Sequence, residues 1–277
     1  MSETTSAIAA LEHVLDTFET IAVAVSGGVD SLTLATLAHR RMAAPVQIFH
    51  AVSPAVPPEA TERVKTLGAR EGWNLNMVDA AEFSDPLYRA NPVNRCFYCK
   101  SHLYDAIGGH TAAQIVSGTN LDDLGEYRPG LEAAKLRAVR HPYVEARIGK
   151  QSLRGIARSL GLGDVAQLPA SPCLSSRIET TIVIEPDMLA LVNFIETFVK
   201  QTILASTVRC RVRAKGMVIE LDTASLAALS RAKEAEIRAN ASSYMDRSGR
   251  RYDLSFEAYR NGSAFLHEPG SCAGALT

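Results

Sequence analysis

Ile21-Ala-Val-Ala-Val25-Ser-Gly-Gly-Val-Asp-Ser31 decides how the rest of the chain is read. Its first five residues are apolar and largely β-branched, which suits a strand buried on both faces. The run stops at a glycine pair, and 32–41 then reads as a helix. Strand, glycine loop and helix in that order open a parallel α/β sheet. Upstream, Ile8, Leu11, Val14, Leu15 and Phe18 fall at helical spacing over 5–19. Downstream, strands are expected at 46–52, 75–78 and 115–117, with a helix over 59–70. Strands alternating with helices to about residue 165 predict a doubly wound parallel sheet, an α/β fold.

After Arg177 the pattern changes. Helices are expected over 187–200 and 224–240. Two strands, 208–212 and 217–221, are joined by Ala214-Lys215-Gly216, and 252–256 reads as a last strand. The expected division is therefore an α/β domain over 1–178, a smaller α+β domain over 179–260, and a tail over 261–277. The tail has three Gly, one Pro and little apolar periodicity, so disorder is expected there.

Composition narrows the function classes. Lys plus Arg number 29 and Asp plus Glu 30, a net charge of −1. A chain that wraps nucleic acid is usually basic overall, so a small-molecule substrate is favoured. No stretch approaches the roughly 20 apolar residues that span a bilayer. The first residues resemble neither a secretory nor a transit peptide, and a cytoplasmic location is expected. There the five cysteines are expected to bind metal, to take part in chemistry, or to be inert, rather than to form disulfides.

Ser26-Gly27-Gly28-Val29-Asp30-Ser31 is suited to phosphate. A glycine pair lets backbone N–H groups close on an anion, and the following helix presents its positive end. Ser26 and Ser31 can add hydroxyl donors, and Asp30 can orient the loop or hold magnesium. The competing explanation is a strand-to-helix turn that uses glycine for geometry alone. No Lys follows the second Gly, so this is not a Walker A loop. A second junction, Ser117-Gly118-Thr119-Asn120-Leu121-Asp122-Asp123, is placed where ligands bind open α/β sheets, beyond the carboxyl ends of strands. Gly118, Thr119 and Asn120 are candidate nucleotide contacts.

Cys96 and Cys99 form a CxxC, and Cys173 lies far along the chain in Ser171-Pro-Cys-Leu-Ser-Ser-Arg177. Spacing leaves three explanations open. Three thiolates can hold a 4Fe-4S cluster with one iron open. Cys96, Cys99, Cys173 and His102 can hold zinc. Or the cysteines are small buried hydrophobes. Cys210 and Cys272 are expected to be incidental.

The SGGxDS string resembles the loop of the ATP-pyrophosphatase (PP-loop) superfamily, adenine nucleotide alpha hydrolase-like enzymes that cleave ATP to AMP and pyrophosphate. Three segments look like one branch of it: Arg95-Cys-Phe-Tyr-Cys-Lys100, Gly118-Thr-Asn-Leu-Asp-Asp-Leu-Gly-Glu-Tyr-Arg-Pro-Gly-Leu131 and Cys173-Leu-Ser-Ser-Arg177. That branch is the pyridinium-3,5-biscarboxylic acid mononucleotide sulfurtransferases, which help build the nickel-pincer nucleotide of lactate racemase. The resemblance implies adenylylation of a carboxylate with ATP and magnesium, then replacement of AMP by sulfur. Some members sacrifice the sulfur of a cysteine equivalent to Cys173. Others also carry the CxxC and resemble cluster-dependent tRNA thiolases, which favours a 4Fe-4S cluster on Cys96, Cys99 and Cys173 as sulfur carrier here.

The resemblance also implies a site for the substrate's phosphate in the second domain, and a homo-oligomer. Arg209, Arg211 and Arg213 alternate along a strand and so share a face. Arg211 and Arg213 best fit the family's phosphate pair. Ser176 and Arg177, beside Cys173, are expected to meet substrate or AMP, with Glu196 a weaker candidate. The expected partners are a small mononucleotide and sulfide or another sulfur donor. Competing functions are a tRNA thiolase and a non-enzymatic ATP-binding iron–sulfur module.

Overall fold

The computed structural model describes residues 3–125, 128–170 and 172–265. The chain divides into two compact units, one of Met1–Asp85 with Asn94–Ser171 and one of Pro86–Val93 with Pro172–Thr277.

The first unit is α/β and doubly wound. Its strands are β1 (Ile21–Ala24), β2 (Val46–Ala51), β3 (Asn74–Val78) and β4 (Gln114–Ser117), in the order β3-β2-β1-β4. All three pairings are parallel. The alternation of side chains along β1 separates two cores. Ile21 and Val23 join a cluster with Leu11 and Leu15 of helix Glu3–Leu15, Leu34 and Leu37 of helix Val29–Arg41, and Leu153 and Ile156 of helix Lys150–Ser159. Ala22 and Ala24 face the opposite cluster, with Tyr104 and Ile107 of helix Arg95–His110 and Ala134 of helix Pro129–Leu136. Burial on both faces explains why β1 is apolar throughout.

Strand order reverses between β1 and β4, because β2 and β3 lie on one side and β4 on the other. Ala24 pairs with Ser117, so the two strands end level. The glycine loop and the Gly118 loop therefore leave the sheet side by side, at the point where an open α/β sheet leaves a crevice.

The second unit carries a mixed sheet of β5 (Val208–Arg213), β6 (Gly216–Leu221) and β7 (Leu254–Ala258), with β5/β6 antiparallel and β6/β7 parallel. Helix Pro186–Thr202 packs on β5 and on helix Arg231–Arg247. Gly216 has φ 133°, and a Cβ there would lie 2.6 Å from the Asp253 carbonyl oxygen, so only glycine makes this turn. The expected helix over 224–240 is two helices, Thr223–Ala227 and Arg231–Arg247. The break is chemical: Ser230 caps the second helix by accepting from the Lys233 N–H, and Asp222 caps the first at Ser225. The last strand lies slightly later than its expected 252–256.

Pro86–Val93 belongs to the second unit although first-unit residues flank it on both sides. Asn91 anchors it. This residue is fully buried, has φ 55°, and donates from Nδ2 to the carbonyls of Ile178, Glu179 and Ile182 at 3.3, 2.9 and 3.0 Å. Its own carbonyl accepts from the Thr181 N–H, and Tyr88 Oη lies 2.7 Å from Ser175 Oγ. Within the tail, Ala264 is buried and its carbonyl accepts from the Thr180 N–H at 2.9 Å, so order extends past the expected boundary at 261. The remainder of the tail, with Cys272, lies outside the described residues. Among the described residues no helix is long and apolar enough to cross a membrane.

Replacing Asn91 tests the anchor. Asn91→Ala strands buried carbonyls, at a cost of about 1–3 kcal/mol. It also loses about 1 kcal/mol because alanine resists the left-handed backbone. Asn91→Gly avoids the second cost, so denaturant unfolding should rank wild type above Gly and Gly above Ala.

Candidate functional site

The loop after β1 is held from three sides. Ser31 Oγ accepts from the Ser26 N–H at 3.0 Å, donates to the Gly28 carbonyl at 3.2 Å, and lies 3.2 Å from Ser26 Oγ. One hydroxyl thus ties the loop to the first turn of helix Val29–Arg41. Gly27 has φ 80°, and a Cβ there would sit 2.7 Å from the Ala60 carbonyl oxygen. Arg63 Nε donates to the Gly27 carbonyl at 2.9 Å. Below the loop, buried His50 bridges the Val25 carbonyl and Thr61 Oγ1, each at 2.9 Å. Burial pushes its pKa down, so the imidazole is neutral, with the proton on Nδ1 facing the carbonyl. Gly28 differs from Gly27. Its φ is −89°, and an added Cβ would meet only Ser26 Oγ at 3.5 Å. Its side faces open space that an approaching anion can use.

The loop after β4 closes against the same turn. A Cβ on Gly118 would lie 2.8 Å from the Ser31 nitrogen and 2.9 Å from the Asp30 carbonyl carbon. Asn120 is buried and shapes the turn Leu121–Gly125. Its N–H and Nδ2 donate to Asp123 Oδ2, both at 3.1 Å, and its Oδ1 accepts from the Asp122 N–H at 3.0 Å. Thr119 Oγ1 lies 3.1 Å from Ser117 Oγ, which also bonds His141 Nδ1 at 2.8 Å.

Asp30 is the charged centre. Burial raises its carboxyl pKa, against the hydrogen bond and charge of Lys150, whose Nζ donates to both carboxylate oxygens at 2.5 and 2.6 Å. Tyr143 Oη donates to the Asp30 carbonyl at 3.1 Å, and burial keeps its phenol protonated. Lys150, Tyr143 and His141 escaped the sequence reading. None belongs to a local motif, and only the fold brings them to the loop.

The cysteines are divided between the units. Cys96 and Cys99 lie one turn apart at the start of helix Arg95–His110 in the first unit, half-buried and without a disulfide. His102 Nε2 lies 3.0 Å from Asp85 Oδ2. Cys173, also half-buried and outside any disulfide, starts the turn Leu174–Arg177 in the second unit. Its carbonyl accepts from Ser176 Oγ at 2.7 Å and Arg177 Nη1 at 3.0 Å. Among the described residues no three His, Cys, Asp or Glu side chains stand together as a metal-binding group. Cys210 is fully buried on β5, and desolvation holds its thiol well above the ordinary range, as suits an inert core residue.

Arg209, Arg211 and Arg213 alternate along β5, as expected, but carboxylates already engage Arg211 and Arg213, and Arg177 in the adjacent turn. Arg177 forms a two-pronged pair with Glu196 at 2.9 and 3.1 Å, both side chains buried. Glu196 also accepts from the Cys210 N–H at 2.9 Å. Arg211 pairs with Glu220 at 3.0 Å and donates to the Ser176 carbonyl at 3.0 Å. Arg213 reaches Glu220 at 2.8 Å and Glu257 at 3.1 Å. Arg209 lies over the Tyr259 ring, 6.0 Å from its centroid. Glu220, wholly buried, is a further residue the sequence did not reveal, because a Glu on an alternating strand reads as an exposed position.

No protein-family model matches the chain. It is similar to an uncharacterized protein of Synechocystis sp., 40% identical over 159 residues, 56% of this chain and 59% of that relative's length. A second relative, an uncharacterized protein of Methanocaldococcus jannaschii, is 27% identical over 216 residues, 73% of this chain and 77% of the relative. A third is the pyridinium-3,5-bisthiocarboxylic acid mononucleotide synthase of Lactiplantibacillus plantarum, 28% identical over 227 residues, 79% of this chain and 80% of the relative.

The buried Arg177–Glu196 pair generates a stability test. Arg177→Ala leaves Glu196 charged and buried, and should cost about 3–5 kcal/mol in denaturant unfolding. Arg177→Met combined with Glu196→Gln removes both charges and should recover most of that loss. A double variant no more stable than the single one would show that packing, not charge, sets the cost.

Proposed function

We propose that this chain is an ATP-dependent sulfurtransferase of cofactor biosynthesis, which adenylylates a substrate carboxylate and replaces AMP with sulfur to give a thiocarboxylate. The observation that carries the reading is the level exit of β1 and β4 at the switch point, with Ser26–Ser31 and Gly118 closed on one helix N-terminus. The printed name of the Lactiplantibacillus relative supports the chemical class.

In this reading the N–H groups at the start of helix Val29–Arg41 receive the ATP phosphates, with Gly28 leaving room for them. Ser26 and Ser31 add hydroxyls, while Gly118, Thr119 and Asn120 form the nucleotide's other wall. Asp30 fits a magnesium ion: its two oxygens already hold one cation, the Lys150 ammonium. Magnesium there neutralises phosphate charge. A free carboxylate is a poor electrophile, so adenylylation converts it to an acyl phosphate with AMP as leaving group. Arg211, Arg213 and Ser176 bind the substrate's phosphate, with Arg177 and Glu196 setting the Cys173 turn beside them.

Cys96, Cys99 and Cys173 are the sulfur-handling residues. Their fit to a 4Fe-4S cluster lies in the donor chemistry: three half-buried thiols outside any disulfide, two on one helical turn. With three protein ligands, such a cluster supplies an open iron that can carry sulfide.

Two experiments test this. Gly28→Val and Asp30→Ala should fold and yet lose AMP and pyrophosphate formation, the first because the added side chain occupies the anion's approach. Normal pyrophosphate release from either variant would remove the loop assignment. Separately, Cys96→Ser, Cys99→Ser and Cys173→Ser should each lose iron and sulfide after anaerobic purification, while Cys210→Ser and Cys272→Ser retain them. Conversion of Cys173 to dehydroalanine, seen as loss of one H2S by mass, would instead make the chain a single-use sulfur donor.

A further inference from the structure

Three side chains behind the β4 loop form a line of hydrogen bonds that ends at a candidate nucleotide contact. Thr119 Oγ1 lies 3.1 Å from Ser117 Oγ, and Ser117 Oγ lies 2.8 Å from His141 Nδ1. The inner end of the line is fixed. Ser117 is buried, and its N–H donates to the Arg140 carbonyl at 3.1 Å. The Arg140 N–H donates in turn to the Ile115 carbonyl at 3.1 Å, so His141 leaves a short stretch paired alongside β4. The His141 carbonyl accepts from the Glu145 N–H at 3.1 Å, at the start of helix Pro142–Glu145. Thr119, at the outer end, is half-exposed and follows Gly118, which closes against Asp30 and Ser31 of the glycine loop.

We propose that His141 is a positioning residue of the nucleotide site, which through Ser117 turns the Thr119 hydroxyl outward as a donor to bound phosphate. The inference rests on the reading of Gly118, Thr119 and Asn120 as nucleotide contacts. It follows from counting protons, because a hydroxyl has one to give. Ser117 Oγ is bonded on both sides, so it donates to one neighbour and accepts from the other. If it donates to His141 Nδ1, it accepts from Thr119, and Thr119 then offers only lone pairs outward. If Nδ1 carries a proton and donates to Ser117, Ser117 donates to Thr119, whose own proton is left for a ligand. A phosphate oxygen only accepts, so the second arrangement alone suits it. His141 thus sets the sign of a contact that it does not itself make.

The charges around the ring come from three elements: Glu145 on helix Pro142–Glu145, Asp123 in the turn Leu121–Gly125, and Lys100 on helix Arg95–His110. Glu145 is paired with Arg140, and Asp123 with Arg128. Burial lowers the imidazole's pKa, the two carboxylates oppose that shift, and Lys100 adds to it. Without ligand the ring is therefore mostly neutral at neutral pH. A bound phosphate adds negative charge at the end of the line and raises that pKa, so binding draws a proton onto the ring. Affinity then falls as pH rises through the bound-state pKa.

Calorimetry on the full chain, with AMP as the probe, tests the relay. Thr119→Val should weaken AMP about tenfold, as for the loss of one hydrogen bond to a charged group, and His141→Phe should do nearly the same. His141→Asn places an amide donor where Nδ1 stood and should restore most of the loss. The pH profile separates positioning from packing. From about pH 6 to about pH 8, wild-type affinity should fall more steeply than that of His141→Asn, whose amide does not titrate. The nucleotide's own phosphate, which titrates at about pH 6, contributes equally to both. Parallel profiles for these two proteins, or a Phe variant that binds as tightly as wild type, would overturn the relay and leave the nucleotide reading standing. If wild type binds neither AMP nor ATP, both fall. Should a variant not fold, nitrogen-15 spectra of wild type decide. Saturating AMP should move one histidine ring to the form with a proton on Nδ1, and no change at any of the seven histidines would sink the proposal.

Discussion

No side chain fits between Gly118 and the backbone of Asp30 and Ser31, where a Cβ would stand within 3 Å of three main-chain atoms. The rest of the first unit's site depends on that approach. Because β1 and β4 pair level, Ala24 to Ser117, the two exits meet at the first turn of one helix. The Gly118 contact fixes where the β4 loop runs, and Asn120 then folds that loop onto Asp123. The adjacent Asp122 takes the Lys150 N–H, and Lys150 returns to Asp30. Backbone contact and ion pair close a ring through residues 30, 118, 122 and 150. Each member is positioned by the next, and a glycine is the one residue that lets the ring close.

Much of this was legible in the sequence where local chemistry decides structure. An apolar β-branched run into a glycine pair identified β1 and its loop, and regular strand–helix alternation identified the parallel sheet. The signal faded where packing across distant residues decides. Helix Arg95–His110 has little apolar contrast along its length, so the sequence raises no expectation of a helix around its CxxC. Pro86–Val93 carries no mark of its attachment to the second unit, because Asn91 reaches carbonyls some ninety positions away. The break at Ser230 was written in capping residues, yet the helical propensity of 224–240 masked it. Of the site itself, the anion-facing backbone was readable, whereas its counter-charges Lys150 and Glu220 were not. A counter-charge is chosen by proximity in space and leaves no periodic trace.

Both units neutralise charge by pairing, half-exposed in the first and buried in the second. In the first, one carboxylate holds one ammonium. In the second, Glu196 holds Arg177 beside the sheet, and Glu220 and Glu257 hold Arg211 and Arg213 on it. Guanidiniums that alternate along a strand would repel one another if nothing lay between them. Glu220 solves this by bonding two at once, and Ser263 Oγ adds a further donor to it at 2.5 Å. The cost is that neither Arg211 nor Arg213 is a bare cation awaiting an anion.

That cost constrains how any phosphate could bind to the second unit. An anion that merely approached would meet a face carrying almost as many carboxylates as guanidiniums, so attraction at a distance would be weak. Affinity would have to come from exchange at contact, with a guanidinium turning from a carboxylate to a phosphate of equal or greater charge. Such exchange favours dianionic phosphate over a simple carboxylate ligand, because only the stronger acceptor repays the broken pair. Arg213 is better placed than Arg211 for it. Its side chain is 17% exposed against 5%, and it has two carboxylate partners, so releasing one leaves the other. Arg211 holds the Ser176 carbonyl as well as Glu220, so turning it away would loosen the Cys173 turn. The sheet face thus has one arginine that would meet a phosphate while keeping its hold on the turn and a more exposed one able to change partners, a division that the alternating sequence alone did not express.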